Sequence, residues 1–140
     1  MSELKTEPFV WPVRVYFEDT DAGGVVYHAR YLNFFERART EMLRAMGISQ
    51  TELREKHGYI WVVLDISVKF KQAAKLDDEL LVSAQLQWVK GVRQGFRQEM
   101  TRQSDNAVVA TAELSAVMLH ADSLKPARVP GWIKERLLNE

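Results

Sequence analysis

The strict alternation of residues 60–71 constrains the fold of this chain more than any other feature. Every second position carries an apolar side chain, and these are Ile60, Val62, Leu64, Ile66, Val68 and Phe70. A period of two is the pattern of a β-strand that has one apolar face. Residues 80–88, 92–101 and 107–119 repeat the pattern, and residues 9–17 show it before them. The chain is therefore predicted to contain five strands.

Short turns join the last three of these strands. Lys90-Gly91 and Ser104-Asp105-Asn106 contain the residue types that are typical of hairpin turns. Consecutive strands joined by hairpins pair antiparallel. Pro12 predicts that the first strand lies at an edge of the sheet or begins only after this residue, because proline donates no backbone hydrogen bond.

One long stretch, residues 31–46, has helical spacing instead, and Gly47 is predicted to end it. The apolar stripe of this helix is predicted to contain Leu32, Phe35, Met42 and Met46. A capping box beginning at Ser49 predicts a short second helix that stops at Gly58, and residues 131–138 predict a third. This order of elements predicts an α+β fold, in which an antiparallel five-stranded sheet wraps around one long central helix.

Composition limits the classes of function. A chain of 140 residues suits a single domain, taken as residues 1–140. Lys plus Arg equals Asp plus Glu at 19 each, so no overall field draws the chain to nucleic acid or to a membrane surface. The absence of cysteine excludes disulfides and thiolate chemistry. No apolar run is long enough for an integral membrane segment, and the charges among residues 1–8 do not fit a signal peptide, so a cytoplasmic protein is expected.

Two aspartates, two glycines and the start of the long helix fall together in residues 18–31. Gly23 and Gly24 allow backbone N–H groups to approach a ligand, and a helix N-terminus adds unpaired donors with a partial positive charge. A carboxylate beside such donors can act on a carbonyl whose oxygen is becoming negative. Asp21 is the candidate carboxylate, with a purely structural role in the turn as the open alternative. Asp19 is predicted to hold the shape of the loop.

Other chemistries lack their residue patterns. A calcium loop that began at Asp19 would need oxygen ligands where Gly23 and Arg30 stand. The three histidines, at positions 28, 57 and 120, have no spacing typical of a metal site, so no metal is predicted. The chain also lacks a nucleophile elbow, a phosphate-binding loop of the Walker type and a dinucleotide fingerprint.

The run from Val13 to Tyr31, VRVYFEDTDAGGVVYHARY, resembles the signature of the 4-hydroxybenzoyl-CoA thioesterase family of hotdog-fold enzymes. Together with FERARTE at residues 35–41, it is particularly similar to the members encoded with the Tol–Pal cell-envelope system of Gram-negative bacteria. The similarity continues through Leu76-Asp77-Asp78 to the Lys125-Pro126-Ala127-Arg128 segment. It implies a hotdog fold and hydrolysis of a fatty or aromatic acyl-CoA thioester to the free acid and coenzyme A.

The resemblance also implies roles for individual residues. The catalytic carboxylate of the family corresponds to Asp21, acting as nucleophile or as general base. The oxyanion donor corresponds to the backbone N–H of His28, with Tyr27 beside it, and Gly24 and Val25 are expected to contact the substrate. No cofactor is implied, because coenzyme A is part of the substrate. The family implies a homodimer or homotetramer with the acyl tunnel between subunits.

Coenzyme A carries several phosphate charges, so a chain with zero net charge needs local cations to bind it. Lys90 and Arg93 flank the Gly91 turn, and the resemblance favours them over an ordinary solvated strand face. The same cations would suit an acyl carrier protein.

Two alternative functions remain: a hydroxyacyl-thioester dehydratase, and a scaffold for a carrier protein or for an envelope complex at the inner membrane. A solvated helix face or a subunit interface is predicted for Glu36, Arg37 and Arg39.

Overall fold

The computed structural model describes residues 7–138. Its elements in chain order are β1 (Phe9–Arg14), a 3₁₀ turn (Phe17–Asp19), α1 (His28–Ala45), α2 (Gln50–His57), β2 (Tyr59–Phe70), β3 (Glu79–Lys90), β4 (Arg93–Arg102), β5 (Val108–His120) and α3 (Gly131–Leu138). The predicted order of strand, long helix, short helix, four strands and short helix is confirmed. Residues 1–6, which contributed to the argument about a signal peptide, lie outside the described range.

The five strands form one antiparallel sheet in the order β1-β3-β4-β5-β2. β1 pairs with β3 from Phe9↔Ala84 to Arg14↔Glu79, and β2 pairs with β5 along its length. The tight turn predicted at Lys90-Gly91 is confirmed, since Lys90 pairs with Arg93 and Gly91 has a φ of 60°. β1 and β2 are thus the outer strands, and Pro12 lies at an edge as predicted.

α1 packs its apolar face against the sheet, closest to β1 and β3. Its buried residues are Tyr31, Phe34, Phe35, Ala38, Met42 and Leu43. The helix begins three residues before the predicted start, and the predicted stripe is wrong at Leu32, which is 42% exposed. The buried face is centred on Phe34, Phe35 and Ala38 because these side chains cover the sheet. Within residues 7–138, no helix is long and apolar enough to cross a bilayer.

The first strand ends earlier than its alternation predicts. Val13 and Val15 are buried, but Phe17 is 80% exposed and belongs to the 3₁₀ turn. The carboxylate of Asp19 accepts a hydrogen bond from the backbone N–H of Tyr16 at 2.8 Å. This local bond replaces the next hydrogen bond of the strand and turns the chain toward α1.

β2 contains a bulge that changes which of its side chains face the helix. The register against β5 shifts between Val63 and Asp65. Side chains directly opposite one another in an antiparallel pair point to the same face. Val63 is opposite the buried Ala116, and Ile66 is opposite the buried Leu114, so the extra residue reverses the alternation. The predicted single apolar face of residues 60–70 is therefore wrong on the N-terminal side of the bulge.

Candidate active site

Residues 19–27 form a short hairpin that carries Asp21 at its tip. Thr20 and Val26 form an antiparallel bridge, and the backbone N–H of Asp21 donates to Val25 O at 2.9 Å. Gly24 donates its N–H to Asp21 O at 3.0 Å and adopts a φ of 79°, which favours glycine over any residue with a side chain. The hairpin therefore holds Asp21 in a defined position just before α1.

The Asp21 carboxylate has one oxygen in a turn and one oxygen that is open. Oδ1 accepts a hydrogen bond from the N–H of Gly23 at 2.9 Å. Among the described residues, nothing donates to Oδ2, and the residue is exposed in the single chain. A Cβ on Gly23 would lie 3.2 Å from Oδ1, so glycine at this position lets the turn form. The structural role and a chemical role are compatible, because each uses a different oxygen.

Hydrogen bonds close the base of the hairpin and connect it to the segment before β3 and, through that segment, to α1. The backbone carbonyl of Asp19 accepts the Tyr27 N–H at 3.0 Å, which leads the chain into the helix. The Val26 N–H donates to Ala74 O at 2.8 Å, and the N–H of Ala74 donates to the buried Tyr31 hydroxyl at 3.1 Å. Because the hairpin, the segment before β3 and the first turns of α1 are bonded together, the position of Asp21 relative to the helix is well defined. The predicted role of Asp19 in loop shape is consistent with this geometry.

The N-terminus of α1 is open to a ligand. Tyr27 is the N-cap, but its side chain makes no capping hydrogen bond, and the first turn contains no acidic residue. Within residues 7–138, the backbone N–H groups of His28 and Ala29 have no acceptor. Unpaired N–H groups at a helix start carry a partial positive charge and suit an anionic oxygen. The exposed rings of Tyr27 and His28 lie side by side, with centroids 4.5 Å apart.

Lys90 and Arg93 do not join the Asp21 hairpin within one chain. The hairpin lies beside the segment before β3, as the Val25↔Lys75 bridge shows, whereas Lys90 ends this strand. A strand rises about 3.3 Å per residue, so Lys90 lies roughly 35 Å along β3 from its first residue. Both cations are exposed, and neither has a carboxylate within 4.0 Å among the described residues. Lys90 instead lies over the ring of Trp88, with Nζ 5.9 Å from the centroid.

A cavity of about 390 Å³ lies between the C-terminal half of α1, the start of α2 and residues 61–63 of β2. Arg39 lines this cavity, and its Nη1 donates to Gln98 Oε1 on β4 at 3.0 Å. The prediction of a solvated face is thus wrong for Arg39, which is partly buried. The signal was present in the spacing, because Arg39 follows Phe35 by four residues and precedes Met42 by three, which places all three on one helical face.

Comparison with known proteins identifies the family. A model of the thioesterase-like superfamily matches residues 15–137. The chain belongs to this family. It is 46% identical over 126 residues to the acyl-CoA thioesterase YbgC of Haemophilus influenzae, covering 90% of this chain and 91% of that protein. It is also 41% identical over 127 residues to the acyl-CoA thioester hydrolase YbgC of Escherichia coli O157:H7, covering 91% and 93%.

Solved structures of thioesterase-like proteins have the same fold. The probable thioesterase of Bartonella henselae has a TM-score of 0.82 and 32% identity, and covers 89% of this chain and 100% of its own. The 1,4-dihydroxy-2-naphthoyl-CoA thioesterase of Synechocystis, at 22% identity, has a TM-score of 0.87 and covers 94% and 96%. The predicted hotdog fold is confirmed, and so is the predicted class of enzyme, a thioester hydrolase.

Proposed function

We propose that this thioesterase-like protein hydrolyses a fatty or aromatic acyl-CoA thioester to the free acid and coenzyme A. The relatives named acyl-CoA thioesterase, at 46% and 41% identity over nine-tenths of the chain, support the reaction class. The observation that carries the assignment of the site is the open carboxylate oxygen of Asp21 on a fixed hairpin that leads directly into the uncapped start of α1.

The proposed chemistry uses the open carboxylate oxygen of Asp21 together with the unpaired N–H groups at the start of α1. The thioester carbonyl oxygen accepts a hydrogen bond from the backbone N–H of His28, beside Tyr27, which stabilises the negative charge that develops during attack. Asp21 then acts in one of two ways. As general base it removes a proton from water, the hydroxide adds to the carbonyl carbon, and the C–S bond breaks as the thiolate takes the proton. As nucleophile its carboxylate oxygen adds to the carbonyl carbon, and the C–S bond breaks to release the thiolate of coenzyme A. Water then hydrolyses the resulting anhydride to the free acid and the Asp21 carboxylate, and the proton released from water goes to the thiolate. Gly24 and Val25 line the approach to this carbonyl.

A second copy of the chain completes the proposed site. Lys90 and the Asp21 hairpin lie at opposite ends of β3, so one chain does not bring both to the same coenzyme A. The free edge of β2 exposes Val62, Val63 and Leu64, each about 40% exposed, and an unpaired apolar edge favours pairing with another strand. Antiparallel pairing of two β2 strands brings the start of each strand beside the end of the other. Arg93 is level with Val62, near the start of β2, because both residues pair with Val117, so it lies toward the end of the sheet beside which this pairing places the second copy's hairpin.

Replacement of the proposed catalytic carboxylate tests the function. Asp21→Asn is expected to lower kcat for acyl-CoA hydrolysis by about 10²–10⁴ while folding is retained, because it removes a positioned acid–base group. Asp122→Asn is the matched control, since Asp122 is also an exposed turn aspartate that accepts a neighbouring N–H. Release of free thiol is measured across a panel of acyl-CoA chain lengths and an acyl carrier protein thioester. Unchanged turnover in Asp21→Asn removes this residue from the mechanism.

The cytoplasmic location, which the composition predicts, and the link to the Tol–Pal system, which the family resemblance implies, remain predictions. A homodimer is the smallest assembly that the proposed site requires, and a homotetramer is compatible with it.

A further inference from the structure

The cavity beside Arg39 has the size and lining of a small-molecule site. Its volume of about 390 Å³ lies within the range of about 300–1,000 Å³ that is typical of ligand pockets. Most of its wall is apolar, from Met42, Leu43, Ile48, Trp61 and Phe96. Arg39 and Arg44 also line it, and a charge beside apolar groups loses hydration.

Arg39 has donors that the protein does not use. Its Nη1 bonds to Gln98 Oε1, and among residues 7–138 it has no carboxylate within 4.0 Å. No fully buried side-chain nitrogen of the described residues lacks a partner, so the remaining N–H groups of Arg39 are open to the cavity. Burial lowers the pKa of Arg39, and the nearby Glu36 carboxylate opposes this effect. The guanidinium therefore offers hydrogen bonds to a molecule that enters.

The guanidinium is also held in position. Gln98 is fully buried, and its Nε2 donates to Phe35 O at 2.9 Å and to Ser83 O at 3.1 Å. These two bonds fix the orientation of the amide, so its oxygen points to Arg39. A donor held in this way recognises an acceptor with a smaller loss of conformational entropy.

The cavity adjoins the edge through which two copies are proposed to pair. Within one chain, Arg39 lies about 16 Å along α1 from His28, since a helix rises 1.5 Å per residue. Trp61 and Val63 at the cavity belong to the start of β2, whereas Phe70 at the end of β2 contacts Tyr31 near the start of α1, with ring centroids 5.1 Å apart. Antiparallel pairing of β2 with β2 thus puts the hairpin of a second copy at the cavity mouth.

We propose that Arg39 is a specificity-determining residue that binds an uncharged oxygen, a hydroxyl or a ketone, at the far end of the acyl group. This inference rests on the proposed function, because the acyl group enters from the thioester held at the second copy's hairpin. Glu36 lines the same cavity, and the other arginine of its lining, Arg44, is paired with Glu41 at 3.1 Å. A terminal carboxylate is therefore disfavoured, which leaves an uncharged oxygen as the matching group. The apolar wall accommodates the carbon chain between the thioester and that oxygen.

Binding of matched thioesters tests the inference separately from catalysis. The protein carrying Asp21→Asn is titrated calorimetrically with hexanoyl-, octanoyl- and decanoyl-CoA and with their ω-hydroxy analogues. At the chain length that reaches Arg39, the hydroxylated thioester is expected to bind about tenfold more tightly, the effect of a hydrogen bond to a charged group. Arg39→Met is expected to reduce this ratio to near one. Arg39→Lys, which keeps the charge but loses the planar fork, is expected to retain only part of it.

Arg37→Met is the control, since Arg37 is an exposed arginine of the same helix that lies over the Phe34 ring and does not line the cavity. It is expected to keep the full preference. Equal affinity for both members of every pair, or a preference that survives Arg39→Met, overturns the inference. If Arg39→Met does not fold, an undiminished preference in Arg39→Lys has the same consequence. Hydrolysis of hexanoyl-CoA by the unmodified protein tests the proposed function independently of these ratios.

Discussion

The Nε of Arg30 lies 3.8 Å from Oδ1 of the buried Asp19, and this ion pair joins the first turn of α1 to the hairpin that carries Asp21. The second oxygen of Asp19 accepts the backbone N–H of Tyr16 at 2.8 Å. Both oxygens are therefore engaged inside the protein, in contrast to Asp21, which has one open oxygen. The two aspartates of the same turn thus differ in what they are free to do.

Asp19→Ala is expected to lower the free energy of unfolding by about 1–3 kcal/mol, because it leaves the Tyr16 N–H without its acceptor. The turnover number is expected to fall as well, since the hairpin loses its connection to α1. Glu18→Ala is the control, because the Glu18 side chain is 71% exposed and lies 4.0 Å from Arg30. Urea unfolding should place this control within about 0.5 kcal/mol of the unmodified chain. Equal stability of both variants would show that the Asp19 contacts contribute little.

Local sequence patterns predict the strands of the sheet, but they do not predict which side chains of β2 face the helix. Hairpin turns and alternation predict the order of strands because they depend on residues close together in the chain. Val62, Val63 and Leu64 are three consecutive apolar residues, so the pattern is the same whether the alternation continues or a bulge reverses it. Pairing with β5 decides between a continued alternation and a bulge. This pairing involves residues about 50 positions away in the chain, as in the Ser115–Asp65 hydrogen bond.

The candidate site also contains some residues that are close together in the chain and others that only the fold brings together. Asp21 and Gly24 lie in one short turn, so the sequence alone brings them together. The sequence predicts a solvated helix face or a subunit interface for Arg39, because charged helix residues are usually exposed. Its contact is Gln98, which is 59 residues later in the chain, and only the folded sheet brings the two together. Lys90 and Arg93, which are predicted to bind the phosphates of coenzyme A, likewise join Asp21 in the proposed site only through a second copy.

Gly95→Ala is expected to destabilise the sheet by about 1–3 kcal/mol, the usual cost of an overpacked contact. A Cβ at this position would overlap Cε2 of Trp88, so the indole must move away from the strand beneath it. Gly131→Ala is the matched control, because a Cβ there meets no atom within 4 Å. Thermal or urea unfolding compares the stabilities of the two variants. A stability of Gly95→Ala equal to that of Gly131→Ala would mean that the indole relocates without cost.

Asp105 is expected to contribute stability that disappears in acid. Its carboxylate accepts the Ala107 N–H at 3.0 Å and a hydrogen bond from Arg102 at 2.8 Å, and these lower the pKa of Asp105 in the folded state. A lowered folded pKa means that the unfolded chain binds the proton more readily, so stability is lost as the pH falls below the ordinary value of about 3.9. The stability difference between the unmodified chain and Asp105→Asn should therefore shrink from neutral to acidic pH. A difference independent of pH contradicts this assignment.

Replacement of both Lys90 and Arg93 by alanine is expected to raise KM for acyl-CoA by about tenfold, because the two proposed charge-assisted contacts to phosphate would be lost. KM for the corresponding acyl-pantetheine, which lacks the nucleotide, should not change. Arg97→Ala is the control, since Arg97 lies on the same strand but pairs with Glu113 at 3.1 Å. An equal rise in KM for both substrates would instead indicate a structural effect of the double replacement.

Mixed assemblies then decide whether these cations act on their own chain or on a second copy. One chain carries Asp21→Asn and the other carries Lys90→Ala with Arg93→Ala, and dimers containing one of each are isolated with two affinity tags. If the site draws Asp21 from one copy and the cations from the other, each mixed dimer contains one intact site and one site that lacks all three residues. The intact site should then hydrolyse acyl-CoA with the KM of the unmodified protein and about half its turnover per dimer. If the cations serve their own chain, every active site in the mixed dimer lacks them, and its KM stays at the raised value of the double variant.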